Sequence, residues 1–462
     1  MIFGYFFEKQ CFNKRLPIGK LLLPVCLTII LLSTLFVFYL CPENGCAISA
    51  LTVSQYSRYR TLSKFASFKR LSTNSNQNQA NLTPNPTLAE RSKKLSFEDV
   101  LSDNSSVFDI KANDVIVFLH IQKTGGTSFG RHLVKDLNLV NPCECKKGRK
   151  RCKCLRPDSN AKLWLFSRYT TGWKCGLHAD WTELTNCVDS VMDESEKTVT
   201  KRRYFYITLL REPVARFLSE FRHVQRGATW KSSRHWCGGR TPTSKELPPC
   251  YTGIDWRDVT LEEFINCSHN LAVNRQTRML ADLTLVDCYN TSIKARKLRD
   301  SILLQSAKYN LNKMAFFGCS EYQKISQYLF ESTFKLHFMH PFIQLNETHS
   351  SLMRDEIDEN LLEKIKKINH LDIQFYEFAK QLLFERFKLM KSRDSNFEYN
   401  FSHLGNLGPN EERLLSQQNL ETFPEFRILK KIERQKKKLK ALKQKKNRST
   451  LYQNKSNIEP AV

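Results

Sequence analysis

The segment FLHIQKTGGTS (118–128) sets a histidine and a lysine at the end of an apolar run, directly ahead of two glycines and two hydroxyl side chains. Val115–His120 (VIVFLH) is β-branched and apolar, as suits a buried parallel strand. Gly125 and Gly126 break that run, and TSFGRHLVKDL (127–137) then carries Phe129, Leu133 and Leu137 at helical spacing, with Thr127 in the N-cap position. Strand, glycine turn and helix N-terminus in succession form an anion site, because free backbone N–H groups and the helix dipole point into the turn. A triphosphate-binding loop has the order G-x-x-x-x-G-K-[ST], with its lysine after the glycines. Here Lys123 comes before them. Taken alone, the segment also reads as a glycine turn with a surface lysine.

YFYITLLREPVARFLSEFRHVQRG (204–227) repeats this plan, with a strand through Leu210, a break at Pro213, and a helix turning Leu218 and Phe221 inward. Arg211 stands at the strand's end and Ser219 further along the helix. An arginine fork with a hydroxyl is a common grip on a phosphate monoester. Arg211 is also placed to pair with Glu212 or Glu220. Two such turns in one chain suggest a nucleotide with phosphates at both ends.

The chain that must position these residues has 462 residues, enough for one large core or two smaller ones with tails to spare. Its formal net charge of +26 implies an acidic partner: nucleic acid, anionic lipid or a polyanionic glycan. Fifteen cysteines favour an oxidising compartment unless they bind metal. Leu21–Cys41 (LLLPVCLTIILLSTLFVFYLC) has about the length that one membrane-spanning helix requires. Lys9, Lys14, Arg15 and Lys20 precede it, as for a cytosolic N-terminus, although Arg58, Arg60, Lys64, Lys69 and Arg70 follow. An uncleaved type II anchor is favoured over a signal peptide cut near CAISA (46–50). Acceptor triplets at Asn81, Asn104, Asn266, Asn290, Asn346, Asn400, Asn447 and Asn454 all follow the span and agree with a lumenal body. A lumenal body excludes DNA and RNA as the polyanion.

Composition divides the chain into a cytosolic tail (1–20), the anchor (21–41), a Ser/Asn/Gln/Thr-rich flexible stem (42–108), a folded domain (109–393) and a basic tail (394–462). Within the tail, FRILKKIERQKKKLKALKQKKN (426–447) has apolar residues at roughly helical spacing and reads as a solvated helix. CECKKGRKRCKC (143–154) could be a metal knuckle, but its C-x-C pairs do not have the usual zinc spacing. Alongside Cys175, Cys187, Cys237, Cys250, Cys267 and Cys288 in a lumenal body, disulfides are favoured, leaving Cys319 unpaired and no metal site.

Lys-Thr-Gly-Gly-Thr after a strand, with a later Arg-x-Pro-x-x-Arg-x-x-Ser turn, resembles the sulfotransferases that use 3′-phosphoadenylyl sulfate (PAPS). More narrowly, HIQKTGGTSFGRHLV, WLFSRYTTGWKCGLHADWTELTNC, ITLLREPVARFLSEFRHVQRGATWK, RTPTSKELPPCY and NRQTRMLADLTLV resemble heparan-sulfate 6-O-sulfotransferases, in order, over about residues 115–390. The resemblance implies an α/β, P-loop-like sulfotransferase fold with a central parallel sheet flanked by helices, on a Golgi membrane enzyme. It implies transfer of a sulfuryl group from PAPS to the 6-hydroxyl of glucosamine in heparan sulfate. Another position or glycan, or a non-catalytic heparan-binding protein on the same scaffold, are the competing readings.

The resemblance also implies site roles. The donor falls to His120, Ile121, Gln122, Lys123, Thr124, Gly125, Gly126, Thr127 and Ser128, to Arg211 and Ser219, and to Ile343, Gln344, Leu345, His349 and Ser350. Lys123 would neutralise the leaving phosphate, and His178 in CGLHADW would be the general base, with His223 as its competitor; His120 and His132 belong to the donor loop and its helix. The acceptor falls to Lys150, Arg151, Arg168, Trp173, His178, His223 and Trp230, with cations for sulfates and carboxylates and indoles for sugar faces.

Overall fold

The structure is a computed structural model that describes residues 92–292, 294–342 and 357–417. The Leu21–Cys41 stretch, most of the expected stem and the lysine-dense 426–447 segment lie outside the described residues. Among the described residues, no helix is long and apolar enough to cross a membrane.

Strands β1 (Lys93–Lys94), β2 (Asp114–Leu119), β3 (Leu165–Phe166), β4 (Arg203–Leu210) and β5 (Phe316–Cys319) form one wholly parallel sheet. At its centre β2 pairs with β4 from Asp114↔Arg203 to Leu119↔Thr208. β3 flanks β2, while β1 and β5 follow one another along the far edge of β4. Every residue of β2 is buried, and in β4 only Arg203 is not. Hence both strands read as unbroken apolar runs rather than as alternating ones.

Each parallel connection needs a crossover, and helices supply it. After the short helix α1 (Phe97–Ser102), α2 (Gly126–Lys135) and α3 (Trp181–Glu196) follow β2 and β3, and α4 (Pro213–Gln225) follows β4. Beyond them come α5 (Leu261–Asn266), α6 (Arg275–Leu280) and α7 (Arg296–Asn312), then α8 (Gln323–Phe334) after β5. Helices α9 (Glu359–Ile368), α10 (His370–Arg393), α11 (Phe397–Ser402) and α12 (Pro409–Gln417) complete the described body. A second apolar cluster joins Val214, Phe217 and Phe221 of α4 to Trp256, Phe264 and Ile365.

Three expectations shift. The folded body begins by Ser92, not at residue 109: β1 joins the sheet, and Leu95, Phe97 and Val100 are buried in the core. It also runs past Arg393, where Phe397 and Phe401 of α11 pack on Tyr328 and Phe387. Helix α2 is capped at Gly125, whose φ of 80° is left-handed, and not at Thr127. That geometry suits glycine and strains a residue with a β-carbon.

Among the described residues the cysteines form five disulfides: Cys143–Cys154, Cys145–Cys152, Cys175–Cys187, Cys237–Cys288 and Cys250–Cys267. Cys319 is free and buried at the end of β5. The 143–154 loop is therefore stapled twice and uses its four cysteines without a metal.

Candidate active site

The carboxyl ends of β2, β4 and β5 lie side by side, the usual ligand position in a parallel α/β sheet. Ser320 ties the three together: its Oγ lies 2.9 Å from the Thr124 carbonyl and 3.0 Å from that of Leu210. The 120–128 loop turns tightly here, with Lys123 at φ 66° and Thr124 Oγ1 donating to the Ile121 carbonyl at 3.1 Å. In α2 the first internal bonds run from Ser128 and Phe129 to the Gly125 carbonyl, so the N–H groups ahead of them face out of the turn. Two buried atoms of the loop, His120 Nδ1 and the Gln122 Oε1 position, have no hydrogen-bond partner. Orphaned polar atoms beside free amides fit a loop shaped for a polar ligand.

The second turn differs from the first. Glu212 N-caps α4 with its own carboxylate, accepting from Val214 N at 3.1 Å and Ala215 N at 2.7 Å. That helix end is already satisfied, so an anion here would be gripped by the Arg211 side chain rather than by helix amides. Gln276 on α6 fixes the Arg211 backbone on both sides, accepting from its N–H at 2.9 Å and donating to its carbonyl at 2.8 Å. Arg211 Nη1 lies 3.3 Å from the Lys123 carbonyl, which joins the two turns. Burial lowers the pKa of Lys123, helped by Arg226 and Arg211, and burial likewise lowers that of Arg211. Anionic ligand would relieve this concentration of positive charge. Ser219 stands half-buried on α4.

His178 precedes α3 at φ 53°, where Asp180 and Glu183 form the capping box that starts the helix. Its Nδ1 lies 3.1 Å from the His120 carbonyl. A carbonyl only accepts, so Nδ1 carries the proton and Nε2 keeps its lone pair. The His178 ring sits 4.9 Å from that of His120 and 4.6 Å from that of Trp173, centroid to centroid. Burial, with Arg275 and Arg168 nearby, lowers its pKa to about 4. Burial drives that of His120 well below its usual value. Both imidazoles are therefore neutral at neutral pH. His223 is exposed; its pKa is lowered by desolvation, Lys123 and Arg226. His132 instead pairs with Asp136 on α2, so its imidazole is engaged there.

Lys150, Arg151, Arg168 and Trp173 line one basic groove of about 730 Å³. Arg168 lies 5.1 Å over the Trp173 ring, and its Nη1 is 3.3 Å from Thr127 Oγ1 in the donor loop. Trp230 is placed differently: it packs at 4.9 Å on Trp256 and donates to Glu220 at 3.1 Å, within the second apolar cluster. Only its residual exposure remains for a sugar. Ile343, Gln344, Leu345, His349 and Ser350 lie outside the described residues.

The model of the sulfotransferase family matches residues 106–379, more than half of the chain. The chain is 55% identical over 308 residues to heparan-sulfate 6-O-sulfotransferase 1 of Homo sapiens, covering 66% of this chain and 74% of that protein. It is 55% identical over 289 residues to heparan-sulfate 6-O-sulfotransferase 2 of Gallus gallus, covering 62% and 71%. For heparan-sulfate 6-O-sulfotransferase 3-B of Danio rerio the identity is 55% over 291 residues, covering 63% and 69%. The chain belongs to the heparan-sulfate 6-O-sulfotransferase family.

In this family member, sequence reasoning passed over several residues that position the site. Gln276 lies inside NRQTRMLADLTLV, a stretch that carries the resemblance but for which the resemblance implies no site role. Glu220, 2% exposed, pairs with Arg216 and Arg275, which are fully buried. Burial raises its pKa, but the two guanidiniums outweigh that and hold it at about 2. This ion cluster also carries the Trp230 bond and sits close enough to act on the charge of Lys123 and His178. Its one legible signal was the Arg216–Glu220 spacing of four along a helix.

Proposed function

We propose that this chain transfers the sulfuryl group of PAPS to the 6-hydroxyl of glucosamine residues in heparan sulfate. The observation that carries the mechanism is the 3.1 Å contact of His178 Nδ1 with the His120 carbonyl, which leaves Nε2 as a base beside the Lys123 loop. The family's reaction and the names of the relatives supply the chemistry to which that geometry is fitted.

In-line sulfuryl transfer makes demands like those of phosphoryl transfer: positioning, a base for the nucleophile and charge neutralisation at the leaving oxygen. The bound donor supplies the electrophilic sulfur. The loop amides of α2 and Lys123 take the 5′-phosphosulfate end, and Arg211 with Ser219 takes the 3′-phosphate. His178 Nε2 accepts the proton of the sugar hydroxyl as its oxygen bonds to sulfur and the bond from sulfur to the phosphate oxygen breaks. Lys123 stabilises the charge left on that phosphate. Arg168, Lys150 and Arg151 hold sulfates and carboxylates of the acceptor, and Trp173 offers a ring face to a sugar. A pKa of about 4 keeps His178 unprotonated before substrate arrives, and the incoming polyanion would raise it toward a value suited to general-base work.

With purified protein, PAPS and N-sulfated heparan, disaccharide analysis should find new sulfate at the glucosamine 6-position. Label on the uronic acid, or none, sinks the assignment. His178→Ala should lower kcat at least about 100-fold while PAP affinity stays within a few-fold of the parent. Near-normal turnover removes His178 from the base role. A type II Golgi anchor at Leu21–Cys41 with a lumenal catalytic body completes the reading; protease protection of the body in intact Golgi vesicles tests it.

A further inference from the structure

The groove that holds Lys150 and Arg151 extends beyond them. Its walls also include Arg131 and Lys135 on α2, and Lys146, Lys147 and Arg149 in the twice-stapled loop. Arg131 and Lys135 are four residues apart, hence on one helix face about 6 Å apart along its axis. All five are exposed, and among the described residues none pairs with a carboxylate. The groove's lining includes no acidic side chain at all. Concentrating this many unneutralised cations in one concavity is costly without an anionic occupant.

Two observations fix what that occupant is. First, the groove runs into the reaction site: Arg168, Gly172 and Trp173 line both it and the small cavity walled by His120. Second, its loop wall is set before any ligand arrives. Cys143–Cys154 and Cys145–Cys152 close it, Glu144 and Lys153 bridge across it, and Cys152 N donates to the Tyr169 carbonyl at 2.6 Å. A rigid track of charge saves ordering entropy on binding. Because Trp173 lines it and stands 4.6 Å from the His178 ring, centroid to centroid, the groove matches a polyanion that reaches the base by one unit and lies along the groove with its neighbours.

Resting on the function proposed above, we infer that Arg131, Lys135, Lys146, Lys147 and Arg149 form a second anion tract. It grips the sulfated, carboxylated stretch of the same polysaccharide that flanks the reacting sugar. The tract contributes binding and no chemistry, so KM depends on acceptor length: chains that reach α2 and the stapled loop are held, and short oligosaccharides are not.

The test is steady-state kinetics of the full chain and of Arg131→Ala/Lys135→Ala and Lys146→Ala/Lys147→Ala, on long N-sulfated heparan and on a size-purified tetrasaccharide. Loss of two exposed ion pairs to the chain predicts a roughly 3- to 30-fold higher KM on the long chain with kcat unchanged. KM on the tetrasaccharide should not move, and the salt dependence of KM on the long chain should become shallower, since fewer counterions are released. An equal rise on both substrates, a fall in kcat, or a parental KM on the long chain overturns the tract. Unchanged melting temperatures separate these outcomes from misfolding. The position sulfated, read by disaccharide analysis, fails or stands independently of the length dependence.

Discussion

Gly126 is the residue whose replacement tests the site most sharply. A β-carbon built there would lie 2.4 Å from His120 Cδ2, 2.8 Å from its Nε2 and 3.1 Å from Phe118 Cζ. Carbon atoms in contact sit about 3.5–4.0 Å apart, so the imidazole would have to move by about 1 Å. It has little room: His120 is 5% exposed and stacks on Phe118 at 5.5 Å and on Trp173 at 6.0 Å. Overpacking of this kind costs about 1–3 kcal/mol. Helix propensity works the other way, but Gly126 is the first residue of α2, so alanine gains less than the about 1 kcal/mol it has over glycine in a helix interior. Gly126→Ala should therefore lose a net of about 0–3 kcal/mol of stability by denaturant titration. The larger effect falls on catalysis, because the displaced His120 ring packs against the His178 ring, 4.9 Å away centroid to centroid, and would push it from its place. A misplacement of about 1 Å can cost on the order of 100-fold in rate. A direct clash of the new methyl with the donor would also lower activity, so a double-mutant cycle is needed. His120→Ala removes the ring that the methyl strikes while keeping the backbone carbonyl. If the ring is the obstacle, adding Gly126→Ala to His120→Ala should cost little more in kcat, and the two changes will be strongly non-additive. Additive losses, or a single Gly126→Ala variant with parental kcat, would refute the reasoning.

Other consequences are measurable. The folded pKa of His178 lies below its unfolded value, so its contribution is complete above pH 6.5 and is lost as pH falls toward 4, up to about 3 kcal/mol. His120 and His235 act in the same direction, and chemical denaturation between pH 7.5 and 4.5 should show a slope that His178→Gln flattens; an unchanged slope contradicts it. Glu220→Gln leaves the buried Arg275 without its counter-ion and Arg216 with only the Asp372 carboxylate at 3.9 Å, and should destabilise by about 3–5 kcal/mol, whereas a loss under about 1 kcal/mol would show that the cluster relaxes. Cys237–Cys288 spans 51 residues, so replacing both cysteines by serine should cost up to about 4 kcal/mol in a denaturant titration. Asn104 and Asn266 are exposed, and protein made through the secretory pathway should carry glycan at both by mass spectrometry of tryptic peptides.

The sheet was legible because VIVFLH and YFYITLL are strands buried on both faces, and burial of that kind writes itself as a continuous apolar run. Residues 92–108 were not, because Leu95, Phe97 and Val100 are too few and too closely set among serines and acids to establish a period. What holds them in the body is pairing of Lys93–Lys94 with Arg203–Tyr204, more than 100 residues away. The same distance problem limits the reading of the site. Lys123 and its glycines could be interpreted because loop and helix N-terminus are adjacent in sequence. The bond that gives His178 its tautomer crosses 58 residues to a backbone carbonyl, and no side-chain type encodes that contact. Trp230 is the converse case: the resemblance implies a sugar contact, and the structure adds that its ring packs on Trp256 and its N–H serves Glu220. A single tryptophan can do both only if the buried carboxylate that orients it is kept. Glu220→Gln therefore bears on acceptor binding as well as on stability, through Trp230. Measured at a temperature where the variant is fully folded, KM for heparan sulfate should rise in Glu220→Gln if Trp230 touches the sugar. It should stay unchanged if the ring is packing alone.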